Sequence, residues 1–347
     1  MRFFPSLFSS GKDRMETTEF MLNLEKELRT KRKVAENTAH AYIKSLYALN
    51  GKKPFKNLSF LKKIDEVERI IAEYAESTQR ALLATVTSVL SMYKDKAGYK
   101  KPFQHFQDKM TERVEEKRVE EKEKVKSNKQ TENWLSWDDI ESRKAELRGG
   151  LVAPNKRSVD ANEYDKLLQF VVLALYTEVQ PRRNQDYLDM YIVKKWNEKM
   201  PTDKNYLDIA GKRFIYNKYK TAKKWGAQTQ EIPDPLWEVL QLFFKHHPLW
   251  KGEVKRKNDP IKLLVSADGT PMTAVNAITR LLNKVFDKKV GSSMLRHIFL
   301  TDKYKDTLEE MKKDSVAMGH STSQQRDYVL ANQKEESPPS SQTVSSE

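Results

Sequence analysis

The chain has 347 residues, longer than one ordinary domain, so two domains are expected. Its formal net charge of +14, from 63 Lys and Arg against 49 Asp and Glu, favours a polyanionic partner. With no cysteine, disulfides and Cys-ligated zinc are excluded, and no apolar run is long enough to predict a membrane span.

Residues 1–14, MRFFPSLFSSGKDR, hold a short apolar patch that Pro5 interrupts. They read as a flexible arm rather than a signal peptide. Residues 15–107 read as a small all-α domain. Phe20, Met21, Leu24 and Leu28 recur at helical spacing. Asn37 and Thr38 are cap candidates for a second helix, on which Tyr42, Leu46 and Leu49 share a face. A third helix is expected within KNLSFLKKIDEVERIIAEYA. A fourth opens at the cap candidates Ser77 and Thr78 and buries Leu82, Leu83, Val86, Val89 and Leu90. Basic residues gather near helix ends: Lys31, Arg32 and Lys33, then Lys52 and Lys53, then Lys94 and Lys96. They are either phosphate contacts or a solvated face. Residues 108–132 have almost no apolar side chains. Glu and Lys at spacings of three and four predict an exposed helix with weak ion pairs and a disordered end, a linker between domains.

The second domain is expected over 133–331. Trp134, Leu135 and Trp137 precede a helix that stops near Gly149 and Gly150. Asp160 and Glu163 have capping-box spacing ahead of the most apolar helix, whose Leu167, Phe170, Val171, Ala174 and Leu175 should be core. Pro181 breaks the chain just before Arg182 and Arg183. The stretch from Tyr206 to Pro233 alternates like a β-meander with turns near Gly211 and Gly226. PLWEVLQLFFKHH returns to helix, and another helix is expected to be capped near Thr273. SSMLRHIFLTDKYKDTLEEMKKDSVAMGHSTSQQRDY reads as two or three short helices. Residues 332–347, rich in Ser, Pro and Glu, should be disordered. The predicted class is mainly α with a small β-meander.

No Gly-rich loop precedes Lys-Ser or Lys-Thr, so a nucleotide-hydrolysis signature is missing. Neither HExxH nor a dense His/Asp cluster occurs, so no metal site and no cofactor are expected. A three-carboxylate, two-metal nuclease would need a strand-rich core, and strands are scarce. What remains is a set of cations and one phenol near the C-terminus. Arg296, His320 and Tyr328 follow one another at intervals of 24 and eight residues. A guanidinium, an imidazole and a phenol together suggest phosphoryl transfer with tyrosine as nucleophile. Attack on a phosphodiester puts extra negative charge on the non-bridging oxygens, which forked, permanently charged arginines can clamp.

LRH at Leu295–His297, GHS at Gly319–Ser321 and then Tyr328 resemble the C-terminal signature of the tyrosine recombinase (phage integrase) family. The resemblance implies a helical core-binding domain followed by an α+β catalytic domain. It makes Tyr328 the nucleophile, Arg296 the second arginine and His320 a hydrogen-bond donor to the scissile phosphate. It favours Arg183 over Arg182 as the first arginine, because Asp186, Leu188 and Met190 follow as the family pattern has it. The usual Thr-Gly-x-Arg turn is replaced by Thr177-Glu-Val-Gln-Pro-Arg-Arg. Lys220, in KTAKK, resembles the hairpin lysine that protonates the leaving 5′-oxygen, with Lys218, Lys223 and Lys224 as rivals or phosphate binders. Ser293 stands where the family has His or Lys, and cannot act as a base at neutral pH. His297 is expected to be structural.

Implied with the family are double-stranded DNA as partner, clamped between the two domains, and a homo-tetramer when DNA sites are synapsed. Also implied are a 3′-phosphotyrosine intermediate needing neither metal nor ATP, and an intracellular location wherever the target DNA resides. For a viral or mobile element, which the arginine motif and Lys-rich composition resemble, that is host nucleus or cytoplasm. Lys31, Arg32, Lys33, Lys94, Lys96, Arg182, Lys223 and Lys224 would contact DNA. Two other readings share these residues: a type IB topoisomerase, and a non-catalytic DNA-binding protein on the same scaffold.

Overall fold

Thr18 starts the first helix. Its hydroxyl accepts from the Met21 amide at 3.2 Å and donates to the Phe55 carbonyl at 2.6 Å, which caps the helix and ties it to a distant loop. The computed structural model describes residues 15–123 and 126–319, and the chain divides into two compact units, Met1–Val125 and Lys126–Glu347.

The N-terminal unit contains α1 (Glu19–Lys31), α2 (Glu36–Leu49), a 3-10 turn (Ser59–Lys62), α3 (Ile64–Ala72), α4 (Glu76–Leu90) and α5 (Lys100–Glu123). Its core is hydrocarbon: Met21, Leu24 and Leu28 from α1 meet Ile43 and Leu46, Leu82 and Val86, and Phe106 of α5. Two expected caps are displaced. Asn37 and Thr38 lie inside α2, and Ser77 and Thr78 inside α4. The Ala35 carbonyl already accepts from the Thr38 and Ala39 amides, and the Ala75 carbonyl from Thr78 and Gln79. Glu36 and Glu76 supply negative charge to these first turns instead.

The charged stretch after residue 107 continues α5. Lys109–Glu112 (3.6 Å), Arg113–Glu116 (3.0 Å) and Arg118–Glu115 (3.6 Å) are the expected one-turn ion pairs. Where a disordered end was expected, Ser127 and Gln130 form a capping box that opens α6 (Asn128–Asn133).

The C-terminal unit goes on with α7 (Trp137–Gly149), α8 (Ala161–Thr177), α9 (Asn184–Leu188), β1 (Met190–Val193), β2 (Asn205–Asp208), β3 (Arg213–Tyr216), α10 (Ala222–Trp225), β4 (Gln228–Glu231), α11 (Asp234–His246), α12 (Gly252–Lys257), β5 (Ile261–Lys262), α13 (Ala277–Phe286) and α14 (Ser292–Ala317). The Asp160–Glu163 capping box forms, and α8 is buried along most of its length against α7, α11 and α13. The meander β2–β3–β4 is antiparallel. β1, which the periodicity did not reveal, pairs parallel to β2, and β5 pairs antiparallel to β1, so the sheet order is β4-β3-β2-β1-β5.

The β2–β3 turn requires Gly211. Buried Asp208 accepts from the Gly211 and Trp196 amides and from Arg213 Nε, and a Cβ at Gly211 would overlap the Asp208 carboxylate. Two further expectations change. Thr273 lies ahead of α13, which begins at Ala277. Ser292 to Ala317 form one 26-residue helix rather than several short ones. No Gly or Pro interrupts that run, and Gly319, at φ 71°, follows its end.

Candidate active site

α8 ends at Thr177, four residues before Pro181, and Arg182 and Arg183 follow, Arg183 in extended backbone as the N-cap of α9. The two arginines then part company. Arg182 is engaged inside the protein. Its Nε donates to Asp186 Oδ2 at 3.0 Å, Nη1 donates to Gln228 Oε1 at 3.1 Å, and the guanidinium lies 3.7 Å over the Tyr216 ring and 5.0 Å from that of Tyr219. Asp186 is buried; desolvation raises its carboxyl above the usual range, with Arg182 opposing that rise. Arg183, half-buried at the N-cap of α9, makes no ion pair among the described residues.

Arg296 comes from the second turn of α14. Its Nε donates to the Ser292 carbonyl at 3.3 Å, and its guanidinium likewise has no carboxylate partner among the described residues. Arg182, Arg183 and Arg296 line one cleft of about 1340 Å³, with Gln180, Tyr219, Thr221 and Trp225 on its walls. Residues far apart in sequence therefore supply three guanidiniums to a single concavity whose one lining carboxylate, Asp186, is paired with Arg182. A site of that kind is built for an anion.

Polar ties underneath hold these segments in place. The Tyr176 hydroxyl donates to Asn184 Oδ1 at 2.8 Å, and Asn184 Nδ2 donates to Thr279 Oγ1 at 2.9 Å, linking α8, α9 and α13. Ser292 is buried at the start of α14. Asn205 is fully buried. Its Nδ2 donates to the Asp186 and Lys218 carbonyls, both at 2.9 Å, and its Oδ1 accepts from the Lys218 amide at 2.8 Å. This one amide fixes the arginine turn relative to the lysine-bearing segment. Sequence reading passed over Asn184 and Asn205, since a lone Asn in a short strand carries no motif.

Lys220 is exposed and has no ion pair among the described residues; its neighbours Tyr219 and Thr221 line the cleft. Of its rivals, Lys218 pairs with Asp189 at 3.4 Å, while Lys223 and Lys224 are exposed on α10. Ser293 and His297 face solvent, so His297 is not the structural residue expected. His320 and Tyr328 lie outside the described residues.

Tyr219 lines the cleft, and Tyr176, Tyr187 and Tyr216 are buried away from its walls. Burial pushes the phenols of Tyr176, Tyr187 and Tyr216 well above their ordinary value, and Tyr219, also raised by desolvation, donates its hydroxyl to the Gly226 carbonyl at 2.8 Å.

In the N-terminal unit Lys31, Arg32, Lys33, Lys94 and Lys96 are all exposed. Lys31 pairs with Glu27 at 2.8 Å, and Tyr93 donates to the same carboxylate at 3.0 Å. Hydrogen bonds from Lys31 and Tyr93 and the nearby Lys96 charge hold the Glu27 carboxyl below its usual range. The end of α1 and the loop after α4 are thus one partly neutralised basic surface. Among the described residues, no group of three or more His, Asp and Glu side chains could hold a metal ion, and no helix is long and apolar enough to cross a membrane.

No protein-family model matches the chain, and no curated protein matches its sequence. Among solved structures it is similar to a crystal structure of XerA recombinase, at 13% identity and a TM-score of 0.33, over 90% of this chain and 94% of that one. A superposition of that quality leaves the reading of the cleft to its own residues.

Proposed function

We propose that the protein cuts and rejoins duplex DNA through a covalent tyrosine intermediate, as a site-specific recombinase of a viral or mobile element. The observation that supports this reading is the pair Arg183 and Arg296, which line one cleft and form no ion pair among the described residues, the cleft's Asp186 being bound to Arg182. The scissile phosphate sits between these guanidiniums, whose forked donors gain strength as charge accumulates on the non-bridging oxygens. Tyr328 attacks phosphorus; its phenol, ordinarily near pKa 10, gives its proton to solvent water as the P–O bond forms, favoured by the surrounding cations. The P–O5′ bond breaks, and Lys220 gives the leaving oxygen a proton. His320 donates to a phosphate oxygen. Reversal of the same steps rejoins the strands without ATP, because the phosphotyrosine bond retains the phosphodiester energy.

Arg182 is assigned a supporting part: its charge holds Asp186, Gln228 and two tyrosine rings around the cleft. The partner is double-stranded DNA, gripped mainly through phosphates, so affinity falls steeply with salt. Strand exchange takes place in a tetramer of the chain on two DNA sites, wherever in the cell that DNA lies.

The test is covalent trapping on nicked suicide duplexes drawn from the ends of the encoding element, comparing the wild type with Tyr328→Phe. A denaturation-resistant protein–DNA adduct is expected, and it should vanish in the variant. Retardation of the DNA with no adduct at either nick position would sink the catalytic reading.

A further inference from the structure

We propose that Trp225 is a base-stacking residue, its indole lying on the face of a nucleobase at an opened step beside the phosphate held in the cleft. This rests on the DNA reading of the cleft. Of the six tryptophans, Trp225 alone is exposed, at 61%. An indole has one of the largest apolar surfaces available to a fold, and this fold leaves it open. Among the described residues no aromatic ring packs on it, and the Lys224 ammonium lies over its face at 4.6 Å.

The exposure does not come from slack chain. Trp225 sits at the end of α10, where the Lys224 and Trp225 amides both donate to the Thr221 carbonyl, at 3.0 and 3.2 Å. Gly226 then reverses the backbone at φ 67°, a left-handed conformation that suits glycine, and its amide donates to the Ala222 carbonyl at 2.8 Å. The Tyr219 hydroxyl closes the loop from the other side by donating to the Gly226 carbonyl. With the backbone so fixed, only the two side-chain torsions of the indole remain to be ordered on binding.

Its surroundings decide the occupant. Trp225 shares a cleft with Arg183 and Arg296, and Lys220, Lys223 and Lys224 are exposed on the same connection between β3 and β4. A lipid or an apolar peptide would answer the indole and leave the cations unmet. Nucleic acid meets both, since it carries a regular line of phosphates and flat π faces. In a stacked duplex those faces cover each other, so an aromatic side chain reaches one only where a step has opened. Trp225 therefore favours DNA that is distorted at the cleft.

The test measures binding of full-length protein to two labelled random-sequence duplexes, one fully paired and one with a single mismatched step, across a salt series. Wild type, Trp225→Ala and Trp225→Phe are compared, with thermal unfolding as the folding control. Trp225→Ala should weaken binding to the mismatched duplex about tenfold, and Trp225→Phe should recover most of it. The slope of log affinity against log salt should not change, because no phosphate contact is lost. Trp225→Ala binding within about twofold of wild type, or Trp225→Phe as weak as Trp225→Ala, overturns the inference and leaves the DNA reading standing. Wild type that binds neither duplex overturns both.

Discussion

The two units solve the problem of polar groups in opposite ways. In the N-terminal unit the buried polar residues among those described are hydroxyls, Ser45, Thr85 and Ser88, which can bond to their own helix, as Thr85 does to the Ala81 carbonyl at 2.9 Å. In the C-terminal unit Asp186, Asp208, Asn205 and His247 are all buried, each with side-chain hydrogen bonds. Buried carboxylates, amides and imidazoles must be paired, and pairing dictates where the partner segments go. One unit is therefore specified by hydrocarbon packing on helices. The other spends stability to position turns, and the cleft is among the turns so positioned.

The contrast breaks most visibly at Asp208. Removing its carboxylate takes the acceptor from the Trp196 and Gly211 amides and from the partly exposed Arg213, and Asp208→Ala should cost about 3 kcal/mol. All six tryptophans lie in the C-terminal unit, so intrinsic fluorescence during urea unfolding isolates that loss. Leu82→Ala, in the N-terminal core, should cost a comparable amount by far-UV circular dichroism and leave the fluorescence transition where it was.

His247 sharpens the comparison through pH. Its Nδ1 accepts from the Leu249 and Trp250 amides at 3.3 and 3.2 Å, and its Nε2 donates to the Leu263 carbonyl at 3.2 Å, an arrangement that suits the neutral ring. Burial depresses its pKa to about 4. The unfolded chain then binds a proton that the folded one refuses, so stability is full above the ordinary His value near 6.5 and falls with pH through the window down to about 4. The loss should reach about 3 kcal/mol, and His247→Gln, though less stable at neutral pH, should lack this contribution. A wild-type fluorescence midpoint as flat with pH as that of His247→Gln would falsify the assignment.

The smallest effect separates neighbours. Arg182→Ala should destabilise the C-terminal unit by about 2 kcal/mol, because it leaves Asp186 buried without its partner. That loss should shrink in acid, where Asp186 can take up a proton. Arg183→Ala should shift the same midpoint by less than about 0.5 kcal/mol while abolishing DNA cleavage. The opposite pattern would exchange the roles of the two arginines.

Sequence made these elements visible unevenly. Periodicity sufficed for α1, α4 and α8, where one face is apolar, and the Asp160–Glu163 box and the Gly149–Gly150 stop were readable because their chemistry is local. Helix starts at Ala35 and Ala75 were not, since there a backbone carbonyl and an acidic first turn act in place of a side-chain cap. β1 is only four residues long and buried, too short for its pattern to declare a strand. Arg296 and the PRR turn could be picked out as residues. That Arg182 is internally engaged and Arg183 is not depends on Asp186, Gln228 and Tyr216 meeting in space, which no local pattern encodes.

Asn205 acts as a surveyor's datum for the unit. Because one buried side chain references both the arginine turn and the lysine segment, the geometry between them does not depend on the path the chain takes to reach it. The exposed loop at 197–203 just before it can thus be lengthened, or carry a fused reporter, without moving the cleft. A residue inserted between Asn205 and Lys218 has no such freedom, since it shifts the β2–β3 register and pulls the datum off its marks.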